Sequence, residues 1–463
     1  MPDFKDLPDL ASERIGASVI EATDDFFAPK ENLIKDSRPE YREGEFTDRG
    51  KWMDGWESRR KRTPGHDSAV VRLGAPGVIR GVIADTSFFR GNYPPYCSID
   101  ASADGSTWIE ILPKSELAGD TENAFAVDSP WACTHVRLNI YPDGGVARLR
   151  VHGEVVPDWH RLGGLGQELD FAAIEHGGQV LECSDMFFGP KHNLILPGLA
   201  RNMGDGWETR RRRGPGNDWV TVRLGAEATI RRVEIDTSFF KGNYPDACSI
   251  DGILPRTKMQ PDTVHVFTDA LTGHGPKEEI RLNVYPDGGI ARLRVYGTAT
   301  ESGRWRAVAR RINTRVPTEA EAELRSCCGS VDWVRGMMAS RPFENDVATA
   351  AETIWWDLDP PDWQEAFAAH PRIGEAPDSA WSRQEQSGIS SASGDARRAL
   401  ASVNAEYERK FGYRYIVCAT GKSADEMLEI ARRRLQNEPD RELRVAAEEQ
   451  WKITMLRLMK LVA

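Results

Sequence analysis

The chain has 463 residues, and 71 acidic against 60 basic side chains give a formal net charge of −11. Roughly 150 residues per domain implies about three domains, and an acidic balance argues against non-specific nucleic-acid binding, which needs surplus Lys and Arg. No apolar stretch approaches the roughly 20 residues of a membrane span, the N-terminal MPDFKDLPDLASE has no apolar signal core, and seven cysteines without a C-x-x-C pair read as free thiols in a reducing, cytoplasmic setting.

The first 300 residues are a tandem duplication. FFAPKENLI at Phe26 recurs as FFGPKHNLI at Phe187, an offset of 161. DGWESRR at Asp54 and DTSFFRGNYP at Asp85 recur at Asp205 and Asp236, both offset by 151, and YPDGG at Tyr141 recurs at Tyr285, offset by 144. The offset changes only between blocks, so insertions fall in loops, and a period this long means duplicated domains rather than a solenoid. Repeat 1 is the longer between Asn32 and Asp54, where it carries the charged REGEFTDRGK.

Within the repeats, Val136, Leu138 and Ile140 alternate with polar neighbours, as do Ala147, Leu149 and Val151. This period of two predicts half-buried strands. The intervening PDGG reads as a hairpin turn. Short strands broken by Gly and Pro predict two jelly-roll-like β-sandwich domains, at 15–157 and 168–300. A basic connector at 301–317 is expected as a linker. Thr318 and Glu321 then fit a capping box that opens an all-helical domain at 318–463. Ser423 and Glu426 fit a second box, and a long final helix carries Arg457. After Thr300 there are 24 basic and 26 acidic residues, so the repeats hold −9 of the charge.

In the helical part, His370 falls where DWQEAFAAH ends, because Pro371 cannot continue a helix. A helix C-terminus favours imidazolium, which suits a proton donor; a simple C-cap is the alternative. Ser382 and Glu385 fit either a capping box or, with Gln386, a polar group beside the imidazole. Arg457, among Met455, Leu456, Leu458 and Met459, either snorkels to water or meets an anion.

Each repeat offers one polar constellation: Asp54, Glu57, Arg59, Asp85, Asn92, Tyr141 and Arg148 in the first, and Asp205, Glu208, Arg210, Asp236, Asn243, Tyr285 and Arg292 in the second. The runs Arg59–Arg62 and Arg210–Arg213 read mostly as solvated, ion-paired charge. Cys97 and Cys248 correspond and read as buried packing.

Two resemblances follow. CGSVDWVRGMMASRPF, HPRIG, SRQEQ, YERKFGYRYIVCATGKS and EEQWKITMLRL, in that order over about 325–460, resemble the decarboxylase of 2-oxo-4-hydroxy-4-carboxy-5-ureidoimidazoline (OHCU). The resemblance implies an all-helical, cofactor-free enzyme of urate breakdown that makes (S)-allantoin. It implies His370 as catalytic acid with Glu385 as its partner. It puts Pro371, Ser382, Gln386 and the backbone of Tyr415, Ile416, Val417, Cys418 and Ala419 at the substrate, with Arg457 as a further anchor. The repeated DGWE, DTSFF and YPDGG blocks resemble allantoicase, which implies cleavage of allantoate into ureidoglycolate and urea. The site expected there is Glu57, Arg59, Asp85, Asn92, Tyr141, Arg148 and their counterparts. A divalent metal is conceivable for this part, although no ligand cluster is visible in the sequence. A homo-oligomer is expected, as is association with an allantoin-hydrolysing enzyme. The rival reading is a decarboxylase that carries the repeats as a ligand-binding or scaffold module, since fold alone assigns no function.

Overall fold

The structure, a computed structural model, describes residues 3–273, 275–372 and 394–463. It divides into two units, Met1–Arg304 and Trp305–Ala463. Among the described residues, no helix is long and apolar enough to cross a membrane.

In the first unit, each repeat is organised on a 19-residue strand, Asp67–Asp85 and Asp218–Asp236. All pairing is antiparallel. The first half of Asp67–Asp85 pairs with Ser18–Ala22 and Ala132–Tyr141. The second half pairs with Glu122–Ala126 and Arg148–Val155. Tyr96–Ser102 and then Ile109–Glu116 extend the sheet beyond Ala132–Tyr141. Because the long strand changes partners midway, with a register shift between Arg72 and Gly77, the sheet curls. The second repeat builds the same curl, with Gln179–Cys183, Pro276–Tyr285, Val264–Phe267 and Arg292–Ala299 around its long strand. The expected alternation fills the interior: Val136, Leu138, Ile140, Ala147, Leu149 and Val151 are all buried.

Two expectations need correction here. PDGG is not a hairpin turn between its flanking strands: Ala132–Tyr141 and Arg148–Val155 pair with different stretches of Asp67–Asp85. The chain between them instead sets Gly145–Val146 against Trp56–Glu57. Arg148, the polar alternate between Ala147 and Leu149 in this period of two, is fully buried.

The helical unit starts inside the helix Glu301–Thr314, so the stretch read as a linker is itself helical. Val308, Ala309 and Ile312 form its buried stripe. The next helix, Pro317–Cys327, has Val316 at its N-cap and Pro317 in its first turn, with no side-chain cap. Thr318 therefore lies within the first turn rather than capping it, and Pro317, which lacks an N–H, suits that place. The capping box at Ser423 and Glu426 is formed, and the final helix runs Pro439–Lys460. Indole N–H groups tie the core together: Trp333 donates to the Ala351 carbonyl at 3.1 Å, Trp355 to Ala447 at 3.2 Å and Trp363 to Trp355 at 2.9 Å.

Glycine is required where the YPDGG backbone passes under an aromatic ring. Gly144 has φ of 142°, and a Cβ on Gly145 would stand 2.0 Å from the Phe89 ring. Gly145→Ala is expected to destabilise the β unit by about 1–3 kcal/mol through overpacking, read as a lowered urea midpoint. An unchanged midpoint would show that Phe89 can move aside.

Candidate functional site

Three segments far apart in sequence meet at Glu57. The pair Trp56–Glu57 lies against Gly145–Val146, and Ala28 bridges to Glu57 on the other side. The buried Trp56 indole donates to the Asp24 carbonyl at 2.8 Å, which fixes the segment. Asn92 accepts the Gly145 N–H on its own carbonyl at 2.8 Å, and its side-chain amide donates to Glu57 Oε1 at 2.7 Å. Burial raises the Glu57 pKa, and the Asn92 bond only partly opposes this. The second repeat repeats the pairing: Asn243 donates to Glu208 Oε1, and the Trp207 indole donates to the Asp185 carbonyl at 2.8 Å. Glu57 and Asn92, and Glu208 and Asn243, are thus brought together as the sequence suggested.

Arg59 stands beside them but is engaged. Its guanidinium reaches Asp24 at 2.6 Å and lies over the Phe26 ring at 5.1 Å. Arg210 does the same with Asp185 at 3.4 Å and Phe187 at 4.3 Å. Asp85 and Asp236 shape turns: their carboxylates accept from the Ser87 and Ser238 N–H groups at 2.8 and 2.7 Å. These turns hold Phe88 and Phe239 at φ of 69° and 70°.

Arg148 and Arg292 correct the expectation that they face substrate. Arg148 is 1 % exposed and donates to the Asp54 carboxylate at 2.6 Å and to the carbonyls of Asp54, Ala147 and Ser37. Burial works against the charge on Asp54, yet the bonds from Arg148 and Lys35 hold its carboxyl below the usual range. Arg292 donates to the carbonyls of Asp205, Ala291 and Gly198, and burial pushes it down to about 10. The Asp205 carboxylate is taken instead by Arg201 at 2.9 Å and, from the other repeat, by Arg14 at 3.1 Å. Arg14 also donates to Asn193 at 2.9 Å, so one guanidinium ties the repeats together.

Tyr141 and Tyr285 belong to a second polar cluster. The Tyr141 hydroxyl lies 2.9 Å from Ser98 Oγ, and Asn139 donates to Ser98 at 3.1 Å and to Asp100 at 2.9 Å. Tyr285, Ser249, Asn283 and Asp251 match them. Ser98, Asp100 and their counterparts were missed, although the identical tetrapeptide CSID in both copies was the available signal. Its cysteines, Cys97 and Cys248, are buried, and burial pushes both thiols up to about 12.

In the helical unit, the helix Pro360–Ala368 is capped by Ala369 and followed by His370, which is buried and donates its N–H to the Phe367 carbonyl at 3.2 Å. Arg414 donates to the carbonyls of Ala368 and His370. It thereby ties His370 to the buried stretch Tyr415, Ile416, Val417, Cys418 and Ala419. Glu449 accepts the Cys418 N–H at 2.8 Å, and Arg434 donates to the Ile416 carbonyl at 2.7 Å. Arg434 is itself paired in the interior with Glu442 at 2.6 Å. Glu449, Arg414 and Arg434 were not foreseen. Pro371 follows His370 directly, whereas Ser382, Glu385 and Gln386 lie outside the described residues. Arg457 donates to the Ser326 carbonyl at 3.3 Å.

Comparison with known proteins identifies both units. The model of the allantoicase repeat matches residues 8–156, 169–254 and 251–300. The chain belongs to the allantoicase family. A probable allantoicase of Nocardia farcinica is 51% identical over 315 residues, covering 64% of this chain and 95% of that one. One of Photobacterium profundum is 47% identical over 326 residues, covering 65% and 98%. The crystal structure of allantoicase from Saccharomyces cerevisiae matches with a TM-score of 0.55 at 34% identity, covering 64% of this chain and 96% of that one. Behind these allantoicase repeats, the OHCU decarboxylase family model matches residues 313–459. Among the described residues, no group of three or more His, Cys, Asp and Glu side chains is assembled that could hold a metal ion. Among the described residues of the allantoicase repeats, the donors a divalent cation would need are therefore not gathered.

Asp205 carries a pH prediction. Its bond from Arg201 holds the carboxyl down at about 2, against about 3.9 in an unfolded chain. The folded pKa is the lower one. Its stabilisation is therefore complete above about pH 4 and is lost as pH falls through about 2. Asp205→Asn is expected to flatten that part of the acid-unfolding curve; a curve of unchanged steepness would contradict the assignment.

Proposed function

We propose that this chain is a bifunctional enzyme of purine catabolism. Its allantoicase repeats hydrolyse allantoate to ureidoglycolate and urea, and its helical unit decarboxylates OHCU to (S)-allantoin. The observation that carries the first activity is the Glu57–Asn92 pair. In allantoate hydrolysis, the bond between the central carbon and one ureido nitrogen breaks, water oxygen takes its place on carbon, and the leaving nitrogen gains a proton. A carboxyl whose pKa is raised by burial stays protonated further toward neutrality and suits that delivery. Asn92 holds Oε1, which leaves Oε2 available to the substrate. Both ureido groups can donate to acceptors at the site, while exposed guanidinium or ammonium groups meet the substrate carboxylate.

In the decarboxylase, loss of CO₂ leaves an electron pair that the substrate's own imidazoline system delocalises, so the reading needs no electron-sink cofactor. What remains is proton delivery to carbon. His370, anchored through its backbone by Arg414 at a helix C-terminus, serves as that donor, with Glu385 as its partner. The backbone of Tyr415–Ala419, held by Glu449 and Arg434, forms the wall against which the substrate is set.

The two reactions are not consecutive, because hydrolysis of allantoin to allantoate lies between them. A separate allantoin-hydrolysing enzyme must supply that step, and association with it and self-assembly into an oligomer are part of this proposal.

Two measurements test the reading on the full chain. Glu57→Gln is expected to lower kcat for urea release from allantoate by at least a hundredfold, with the fold intact by circular dichroism. A folded parent chain that releases no urea from allantoate would favour the ligand-binding module instead. His370→Ala is expected to abolish accelerated CO₂ release from OHCU while leaving urea release at the parental rate. Joint loss of both activities would contradict separate sites.

A further inference from the structure

The two repeats share their Glu–Asn pair but not what surrounds it. Repeat 1 carries ten more residues between Asn32 and Asp54 than repeat 2 does between Asn193 and Asp205. This insertion folds as a small hairpin, Phe46–Thr47 against Gly50–Lys51. It is held at its base by Asp54, which accepts from the Glu40 N–H at 3.1 Å and from Lys35 at 3.0 Å. It reaches both aromatic turns that flank Glu57 and Asn92. Gly50 lies against the Phe27 ring, Arg49 donates to the Phe26 carbonyl at 3.2 Å, and Tyr41 stacks on Phe88 at 5.7 Å. In repeat 2 the same aromatics are more open: Phe187 and Phe188 are 59% and 61% exposed, against 39% and 36% for Phe26 and Phe27.

The insertion is net neutral, with Arg42, Arg49 and Lys51 against Glu43, Glu45 and Asp48, but it places two cations at the mouth. Arg49 and Lys51 have no carboxylate partner among the described ion pairs; they face the Phe26 and Tyr41 rings at 5.5 and 4.7 Å. The short loop of repeat 2 offers Arg201, but Asp205 binds it through Nε, Nη2 and the backbone N–H. The amides differ as well. Asn243 gives its side-chain N–H groups to Glu208 and, at 3.4 Å, to Met203 Sδ. Asn92 has no side-chain partner besides Glu57 among the described residues, so one amide hydrogen is left for a ligand.

We propose that the repeats have divided their roles: allantoate is bound and cleaved in repeat 1, under the hairpin that brings Arg49 and Lys51, while in repeat 2 Met203 occupies the equivalent amide and no turnover occurs. This deepens the allantoicase reading and rests on it. The hairpin cations meet the substrate carboxylate. A flexible side chain takes the corresponding place in the second copy, which keeps the pair as architecture.

The test is steady-state urea release from allantoate by the full chain and three variants. Arg49→Ala with Lys51→Ala, both at exposed positions, is expected to raise KM at least tenfold with kcat little changed. Glu57→Gln is expected to lower kcat at least a hundredfold, and Glu208→Gln to keep it within twofold. Equal losses in the two Gln variants, or loss in Glu208→Gln alone, would overturn the division of roles. So would an unchanged KM in the hairpin variant, whatever Glu57 does. If neither Gln variant loses activity while the hairpin variant raises KM, the placement in repeat 1 stands and the proton-transfer role of Glu57 falls. Thermal unfolding of each variant separates loss of fold from loss of function.

Discussion

The close approach of the YPDGG backbone to the Phe89 ring is the constraint on which the first site depends. With no side chain at Gly145, the Phe89 ring lies directly on the main chain. Gly145 can then reach the Asn92 carbonyl with its N–H and lie in register with Glu57. Residues 57, 92 and 145 are brought together by one ring over one glycine, and Phe240 over Gly289 does the same in the second copy. Dense packing here acts as a positioning device for a carboxylate that the fold keeps partly from water.

The charge of the first unit is used in the same economical way. It carries −9 overall, yet the arginines of the repeated blocks are mostly committed to particular acids or carbonyls. Arg148 and Arg292 are buried among them. Removing one partner of such a buried pair leaves an uncompensated charge, which typically costs about 3–5 kcal/mol. The global field of this unit repels an anion, so any attraction for a carboxylate substrate has to come from the few cations that lack an acidic partner, acting over a Debye length of about 10 Å.

Much of this was legible in the sequence, and what was not has a common cause. The duplication, the strands at Val136–Ile140 and Leu149–Val151, the cap at Ser423 and the helix end at His370 are written in local periodicity, caps and prolines. Partnerships set by tertiary pairing are not. PDGG carries the local signature of a hairpin, but its flanking strands share one long partner instead of each other. Arg148 sits at a position that alternation would turn toward solvent; only the arrival of Asp54, from a distant segment, makes its burial possible. Thr318 with Glu321 satisfies the spacing of a capping box, yet the N-cap is Val316 and the helix starts at Pro317, two residues earlier than that box requires. The Glu57–Asn92 pair was visible as two repeated residues, while the bond between them depends on the Gly145 contact.

Duplication did not make the two copies physically equivalent, and the reason lies in how they are joined. Arg14 of repeat 1 reaches Asp205 and Asn193 of repeat 2. The residue at the corresponding place in repeat 2 is Glu175, which has the opposite charge. In repeat 1 the Asp54 carboxylate is therefore left to Lys35 and Arg148. In repeat 2 the Asp205 carboxylate is satisfied by Arg14 and Arg201, and Arg292 keeps only carbonyl partners. The base of each loop is thus held by a different set of charges. Where Asp54 bonds the Glu40 N–H, it supports a long hairpin over the site; where Asp205 is occupied by two guanidinium groups, it closes a short loop against itself. The ten-residue insertion and the cross-repeat arginine together give the same Glu–Asn pair different surroundings in the two copies.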